Sequence, residues 1–185
     1  MPYVPYVPMW LIKHPQCALC AYVVNKHIKM KKILIALDFD PTAQKVAEIG
    51  FSLSKDSGFE AILLHVITDP VNYSSKGHTK IMGFVGQENI KASLYESKDG
   101  LKKASQLFLD KSKSYLGDNT ILTLVTEGDL AESILKAAND LKVDIIVMGS
   151  HSRKWMENIL MGSVVEKVLR NTTIPVLIIP TKKQD

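Results

Sequence analysis

A chain of 185 residues, 46% hydrophobic and 23% charged, has the length for one α/β domain with a sizeable core and is short for two. Three of its 23 basic residues, Lys13, Lys26 and Lys29, fall in the first 30 positions, which hold no acid, so the remainder sets 20 basic groups against 19 acidic ones. A body this close to neutrality argues against a nucleic-acid face built on bulk positive charge.

The opening stretch, MPYVPYVPMWLIKHPQCALCAYVVNKHIKM, differs from the remainder of the chain in its early prolines and lack of acids. It reads as an N-terminal extension over 1–30, disordered or not part of the native product. Its apolar part is interrupted by Lys13, His14 and Pro15, and no basic leader precedes a clean apolar run, so neither a membrane span nor a secretory signal is expected. Cys17 and Cys20 stand as CALC, with His14 and His27 available to complete four zinc ligands. The run around them lacks the glycine of a rigid metal turn, and the plainer reading is an incidental apolar segment. Two cysteines make no disulfide framework, which suits a reducing, cytoplasmic setting.

From Lys31 two kinds of element alternate. KILIAL (32–37) is an unbroken apolar run suited to a parallel strand covered on both faces. Ala43, Val46, Ala47, Gly50, Phe51 and Ser54 then recur at helical spacing, with Gly58 as the stop. AILLHVI (61–67) is a second buried strand, followed by a polar excursion from Thr68 to Glu88. Ile90, Leu94, Leu101, Ala104 and Phe108 mark an amphipathic helix over 89–115, and TILTLVT (120–126) a third strand.

GDLAES opens another helix, with Asp129 as N-cap and Glu132 completing a capping box; Leu130, Ile134, Leu135, Ala138 and Leu141 form its apolar stripe. VDIIVMG (143–149) is the fourth strand, SVVEKVLRN (163–171) the last helix and IPVLIIP (174–180) the fifth strand. Uniformly apolar strands separated by helices specify an open parallel sheet with helices on both faces. Ligands of such sheets lie beyond the carboxyl ends of the strands, where the winding reverses. Two stretches qualify: LDFD after the first strand, and the glycine-bearing segment after the fourth.

In that segment Gly149 permits a sharp turn after the strand, and Gly162 precedes the helix that begins at Ser163. Unpaired N–H groups and a partial positive charge at a helix start suit a phosphate without a lysine. Ser163 and Glu166 also make a capping box that needs no ligand, and the pattern alone leaves both readings open. There is no Walker lysine motif, no His-Ile-Gly-His signature, no serine-glycine-glycine loop after the first strand and no nucleophile elbow around the adjacent Ser150 and His151.

The stretch MGSHSRKWMENILMGSVVEKVLRNTTIPVLIIP resembles the C-terminal signature of the universal stress protein family, in which nucleotide-binding members show glycine, two residues, glycine, nine residues, glycine, then serine or threonine. Gly149, Gly162 and Ser163 match; Ser152 stands where the second glycine is expected, and its side chain would crowd a triphosphate or divert the loop. ILIALD, LLHV, EGD and IPVLIIP extend the resemblance over 31–181, which is taken as the universal stress protein domain.

The resemblance implies a Rossmann-like, adenine nucleotide alpha hydrolase-like sheet of five parallel strands in the order 3-2-1-4-5, binding ATP or ADP with little or no turnover. Asp38 would face the ribose and nearby phosphates, or a nucleotide-bound magnesium. Ala36 and Val66 would border the adenine, and Met148 and Gly149 the ribose. Gly162, Ser163, Val164 and Val165, with Ser152 in the preceding loop, would cradle the phosphates. His151 and Arg153 read as solvated loop charges or as further phosphate donors. Pairing of IPVLIIP with its copy would give a homodimer. A nucleotide-free signalling or scaffold member of the family is the first alternative.

A rival of another class comes from ILIALDFDPT, which is similar to the first motif of haloacid-dehalogenase-type phosphatases. There Asp38 would be the nucleophile, Asp40 the acid/base, and Thr42 and Thr68 supporting hydroxyls. Met30 stands immediately before the regular pattern, so the working start of the domain is expected there. The intact mass of the native protein tests this: a mass beginning at Met30 is expected, and one that includes the first 29 residues overturns it.

Overall fold

The computed structural model describes residues 32–68, 97–150 and 162–181. The expectations for Cys17, Cys20, His14 and His27, for the excursion after Thr68, for Ile90 and Leu94, and for His151, Ser152 and Arg153 lie outside those residues. Five strands and four helices succeed one another: β1 (Lys32–Leu37), α1 (Ala43–Ser57), β2 (Glu60–Ile67), α2 (Lys98–Leu116), β3 (Leu122–Glu127), α3 (Leu130–Asp140), β4 (Ile145–Gly149), α4 (Ser163–Asn171) and β5 (Val176–Ile179). All strand pairings are parallel, and the order is β3-β2-β1-β4-β5. The open sheet expected from the alternation of elements, and the strand order implied by the resemblance, are both present.

Period-two alternation divides each apolar strand between two cores. Ile33, Ile35 and Leu37 of β1, Leu63 and Ile67 of β2 and Val147 of β4 point to the face covered by α1 and α2, where Val46, Ala47, Leu101, Ala104 and Phe108 meet them. Leu34, Ile62, Leu64, Val66, Ile146 and Met148 point to the opposite face, against Ile134 and Ala138 of α3 and Val165 and Val168 of α4. A strand buried on both sides cannot alternate polar and apolar residues, which is why these runs are apolar throughout. Within α3, Leu130, Leu135 and Leu141 are only partly buried, and Ala131 and Ala137 take deeper positions beside Ile134 and Ala138.

Element ends obey local chemistry. Gly58 closes α1 with φ 68°, the left-handed conformation glycine adopts without a Cβ penalty. The Ser97 hydroxyl caps α2 by accepting from the Gly100 N–H at 3.0 Å. Three strands are shorter at their starts than expected. Thr120 is held in a turn by donating its N–H and hydroxyl to Asp118 Oδ1 at 2.8 and 2.6 Å. The Val143 N–H donates to the Ala138 carbonyl at 3.0 Å, in the turn that ends α3 rather than in the sheet. Pro175, with no N–H to give, offers only its carbonyl to Ile146 at 2.9 Å. Among the described residues no helix is long and apolar enough to cross a membrane.

Helix and sheet approach each other tightly at Gly50, where a Cβ would stand 2.9 Å from Ile35 Cδ1 and 3.0 Å from its Cγ1. Ile35 is fully buried and has no space to yield. Gly50→Val is therefore expected to lower stability by about 1–3 kcal/mol through overpacking, read as a fall in the urea midpoint. Ile35→Val, which removes Cδ1, should recover part of that loss in the double variant; full additivity of the two losses would count against this contact.

Candidate functional site

The carboxyl ends of β1, β2 and β4 open into a cavity of about 380 Å³, within the range of small-ligand sites. The residues around it come from both cores: Phe39, Thr42, Ala43 and Val46 at the start of α1, Leu130 and Ile134 on α3, and Gly162 to Val165 at the start of α4. Ala36, Asp38, Val66, Met148, Gly149, Gly162, Ser163, Val164 and Val165, named from sequence, all line this one cavity. Ser152 lies outside the described residues.

Asp38 owes its direction to its neighbours. Leu37 and Phe39 are 5% and 3% exposed, while Asp38 between them is exposed and lines the cavity, its Oδ1 accepting from the Asp40 N–H at 3.3 Å. Phe39 is anchored by rings, with its centroid 4.2 Å from that of His65 and 5.2 Å from that of Phe108. Buried His65 joins its Nδ1 to the Leu37 carbonyl at 2.9 Å. Because a carbonyl only accepts, Nδ1 is the protonated nitrogen, and the bond ties the end of β2 to the end of β1.

Asp40 has another task. Its Oδ1 accepts from the Thr42 N–H at 2.9 Å and from the Thr42 hydroxyl at 2.8 Å, while its carbonyl accepts from Ala43, so it turns the chain into α1. It does not line the cavity. The expectation of an aspartyl-phosphatase pair is corrected here: one carboxylate faces the cavity, and the other is spent on the turn.

A second correction concerns the start of α4. The helix begins at Ser163 with Gly162 as N-cap, and among the described residues no side chain caps it. The expected Ser163–Glu166 capping box is absent, because Ser163 is already inside the first turn and Glu166 is engaged by Arg170, whose Nε and Nη2 donate to Oε1 at 3.0 and 2.8 Å. The first helical bond runs from the Glu166 N–H to the Gly162 carbonyl at 3.0 Å, which leaves the N–H groups of Ser163, Val164 and Val165 without helical acceptors. That end can receive an anion. At the start of α3, by contrast, Asp129 accepts from the Glu132 N–H at 3.0 Å as expected of the N-cap, while the Glu132 carboxylate accepts from Lys167 instead of completing the expected box.

Gly149 sits in close packing. A Cβ there would lie 3.0 Å from Thr181 Cγ2 and 3.2 Å from Val46 Cγ2, so a side chain would require those two methyl groups to give by a few tenths of an ångström at the cavity wall. His65, Leu130 and Ile134 also line the site, and the sequence pattern does not assign them to it. Leu130 carries one legible signal, an apolar residue directly after an N-cap at the carboxyl end of a strand. No group of three or more His, Cys, Asp or Glu able to hold a metal ion occurs among the described residues. A magnesium ion at Asp38 would have one carboxylate there and take its other oxygens from water or a bound nucleotide.

Comparison with known proteins bears on the family and the fold. The profile described as the Universal stress protein family matches residues 29–180. Universal stress protein MJ0577 of Methanocaldococcus jannaschii is 30% identical over 158 residues, covering 84% of this chain and 98% of that protein. Universal stress protein YxiE of Bacillus subtilis is 28% identical over 150 residues, covering 80% and 97%. The solved structure of MJ0577 superposes with a TM-score of 0.64 over 85% of this chain and 100% of that one. A universal stress protein solved in complex with cAMP, 16% identical, shares the fold with a TM-score of 0.55 over 83% and 98%. With its strand order, its cavity at the winding reversal and a profile match across nearly all of the described chain, the protein belongs to the universal stress protein family.

Proposed function

We propose that this domain, cytoplasmic and comprising residues 31–181, binds ATP or a related adenine nucleotide and serves a stress response through that binding, with at most weak hydrolysis. The observation that carries the reading is the start of α4, which no side chain caps among the described residues and which opens into the same cavity as the Asp38 carboxylate and a set of apolar walls. Those three features match the three parts of a nucleotide. Ala36 and Val66 border the base, and Met148 and Gly149 the ribose side, where Asp38 accepts from hydroxyls or meets a nucleotide-bound magnesium. The N–H groups from Ser163 to Val165 meet the phosphates, with Gly162 letting the chain approach closely and Ser152 in the loop before them. Little turnover is expected because Asp40, the other carboxylate of this loop, is committed to Thr42. The complex of a universal stress protein with cAMP belongs to that protein, and its likeness to this chain reaches only the fold.

Denaturing the purified protein and weighing what is released tests the reading. ATP or ADP is expected, together with a rise in melting temperature on adding ATP and magnesium. Asp38→Ala should weaken ATP binding about tenfold, the order of one lost hydrogen bond to a charged acceptor. A clean release and no thermal shift would instead make this a nucleotide-free signalling or scaffold member.

We also infer a homodimer through β5. This strand lies at the sheet edge, and Leu177 on it is 37% exposed. An apolar strand with an open edge pairs readily with its own copy about a two-fold axis. Light scattering at micromolar concentration should give twice the chain mass for the wild type and the chain mass for Leu177→Lys; a monomeric wild type overturns the inference.

A further inference from the structure

We propose that Lys167 determines how well the cavity accepts longer phosphate chains, by offsetting about half the charge of two carboxylates that stand beside the start of α4. The inference rests on the adenine-nucleotide reading and adds to it a determinant of phosphate number.

Lys167 lies four residues after Ser163 and so on the same side of α4. Its Nζ is 3.1 Å from Asp129 Oδ1 and 3.0 Å from Glu132 Oε1, reaching across to the first turn of α3. Lys167 and Asp129 line a groove of about 690 Å³ that shares Thr68, Leu130, Ser163 and Val164 with the nucleotide cavity. The ion cluster therefore adjoins the helix end that is open to an anion. Lys98 and Glu127 are the other charged residues of the groove, and they offset each other in formal charge. The remaining acid at the start of α4, Glu166, is engaged by Arg170.

Asp129 serves the fold as the N-cap of α3, but that role does not need the ion pairs with Lys167. The side chains of Lys167, Asp129 and Glu132 are 44%, 47% and 72% exposed, and ion pairs so open to water contribute little to stability. Their charges still act on a neighbouring anion, because the field of an exposed group extends over about a Debye length, roughly 10 Å at 0.1 M salt. Two carboxylates beside a phosphate site repel each added phosphate, and one ammonium between them removes about half of that repulsion. Glu132 first, then Asp129, hold the Lys167 ammonium in its charged form by raising its pKa. Asp129 is held ionised by the Glu132 N–H and by Lys167, which lower its own. Lys167 and Asp129 thus keep their charges through the neutral pH range.

The test is the affinity of the full chain and its variants for AMP, ADP and ATP at low salt. Lys167→Gln should weaken AMP by about twofold and ATP by about tenfold, with ADP between, from Coulomb interactions at near-aqueous dielectric. Lys167→Arg should keep the wild-type ladder, and the gradient should collapse in 0.5 M salt, where the Debye length is only a few ångström, on the order of 4 Å. Adding Asp129→Asn to Lys167→Gln should restore much of the ATP affinity, since asparagine keeps the N-cap oxygen and loses the charge. An equal loss for all three nucleotides, or none, overturns the proposal. Should Lys167→Gln fail to fold, Glu132→Gln in the wild-type background must raise ATP affinity more than AMP affinity, and no gain overturns it equally. A wild type that binds none of the three refutes the nucleotide reading itself, whereas wild-type binding with a flat ladder in the variants refutes only the role of Lys167.

Discussion

The central position of β1, hydrogen-bonded to β2 on one side and β4 on the other, is the constraint on which the rest of the molecule depends. Both of its faces are covered, so its residues are apolar without alternation and the strand has no exposed edge. Right-handed crossovers to its two sides must leave on opposite faces of the sheet, which sends α1 and α2 one way and α3 and α4 the other. Where the two directions diverge, at the carboxyl ends of β1 and β4, no helix can cover the sheet. The cavity occupies the gap that this topology leaves.

What stands in that gap is decided at short range. Between Leu37 and Phe39, both buried, the chain has one outward position, and it holds Asp38. Two residues later Asp40 is drawn into the turn that starts α1. A pair of aspartates that looks symmetrical in sequence is therefore divided between a site and a scaffold. A similar division separates the two helices of the far face: α3 has an acid at its N-cap, and α4 a glycine. The first is capped by its own acid, and among the described residues no side chain caps the second.

The strands were legible because two-sided burial writes itself as continuous runs of branched residues, and β1 and α4 have the bounds their patterns predict. Strand starts were less legible, because turns such as Asp118–Thr120 and the Ala138–Val143 bond take residues whose side chains still look like sheet. At the site, glycines and the lone outward aspartate could be read from spacing. Ile134 could not, since a cavity wall and a core stripe share one helical period, and only the packed structure tells them apart. The Ser163–Glu166 box failed for a related reason: the motif is defined relative to the N-cap, and here the N-cap is Gly162, one residue earlier than the box requires.

Gly149 has a consequence that reaches beyond its own position. The sheet isolates the two apolar interiors from each other, and the cavity is the place where residues of both, Val46 from one and Val165 from the other, face a common space. The missing side chain at Gly149 keeps Val46 close to the sheet and that space open to both interiors. Any molecule seated there touches the two halves at once and acts as a rivet between layers that the sheet otherwise holds apart. Occupancy of the cavity is in this way mechanically linked to how firmly α1 and α4 are held in place relative to one another.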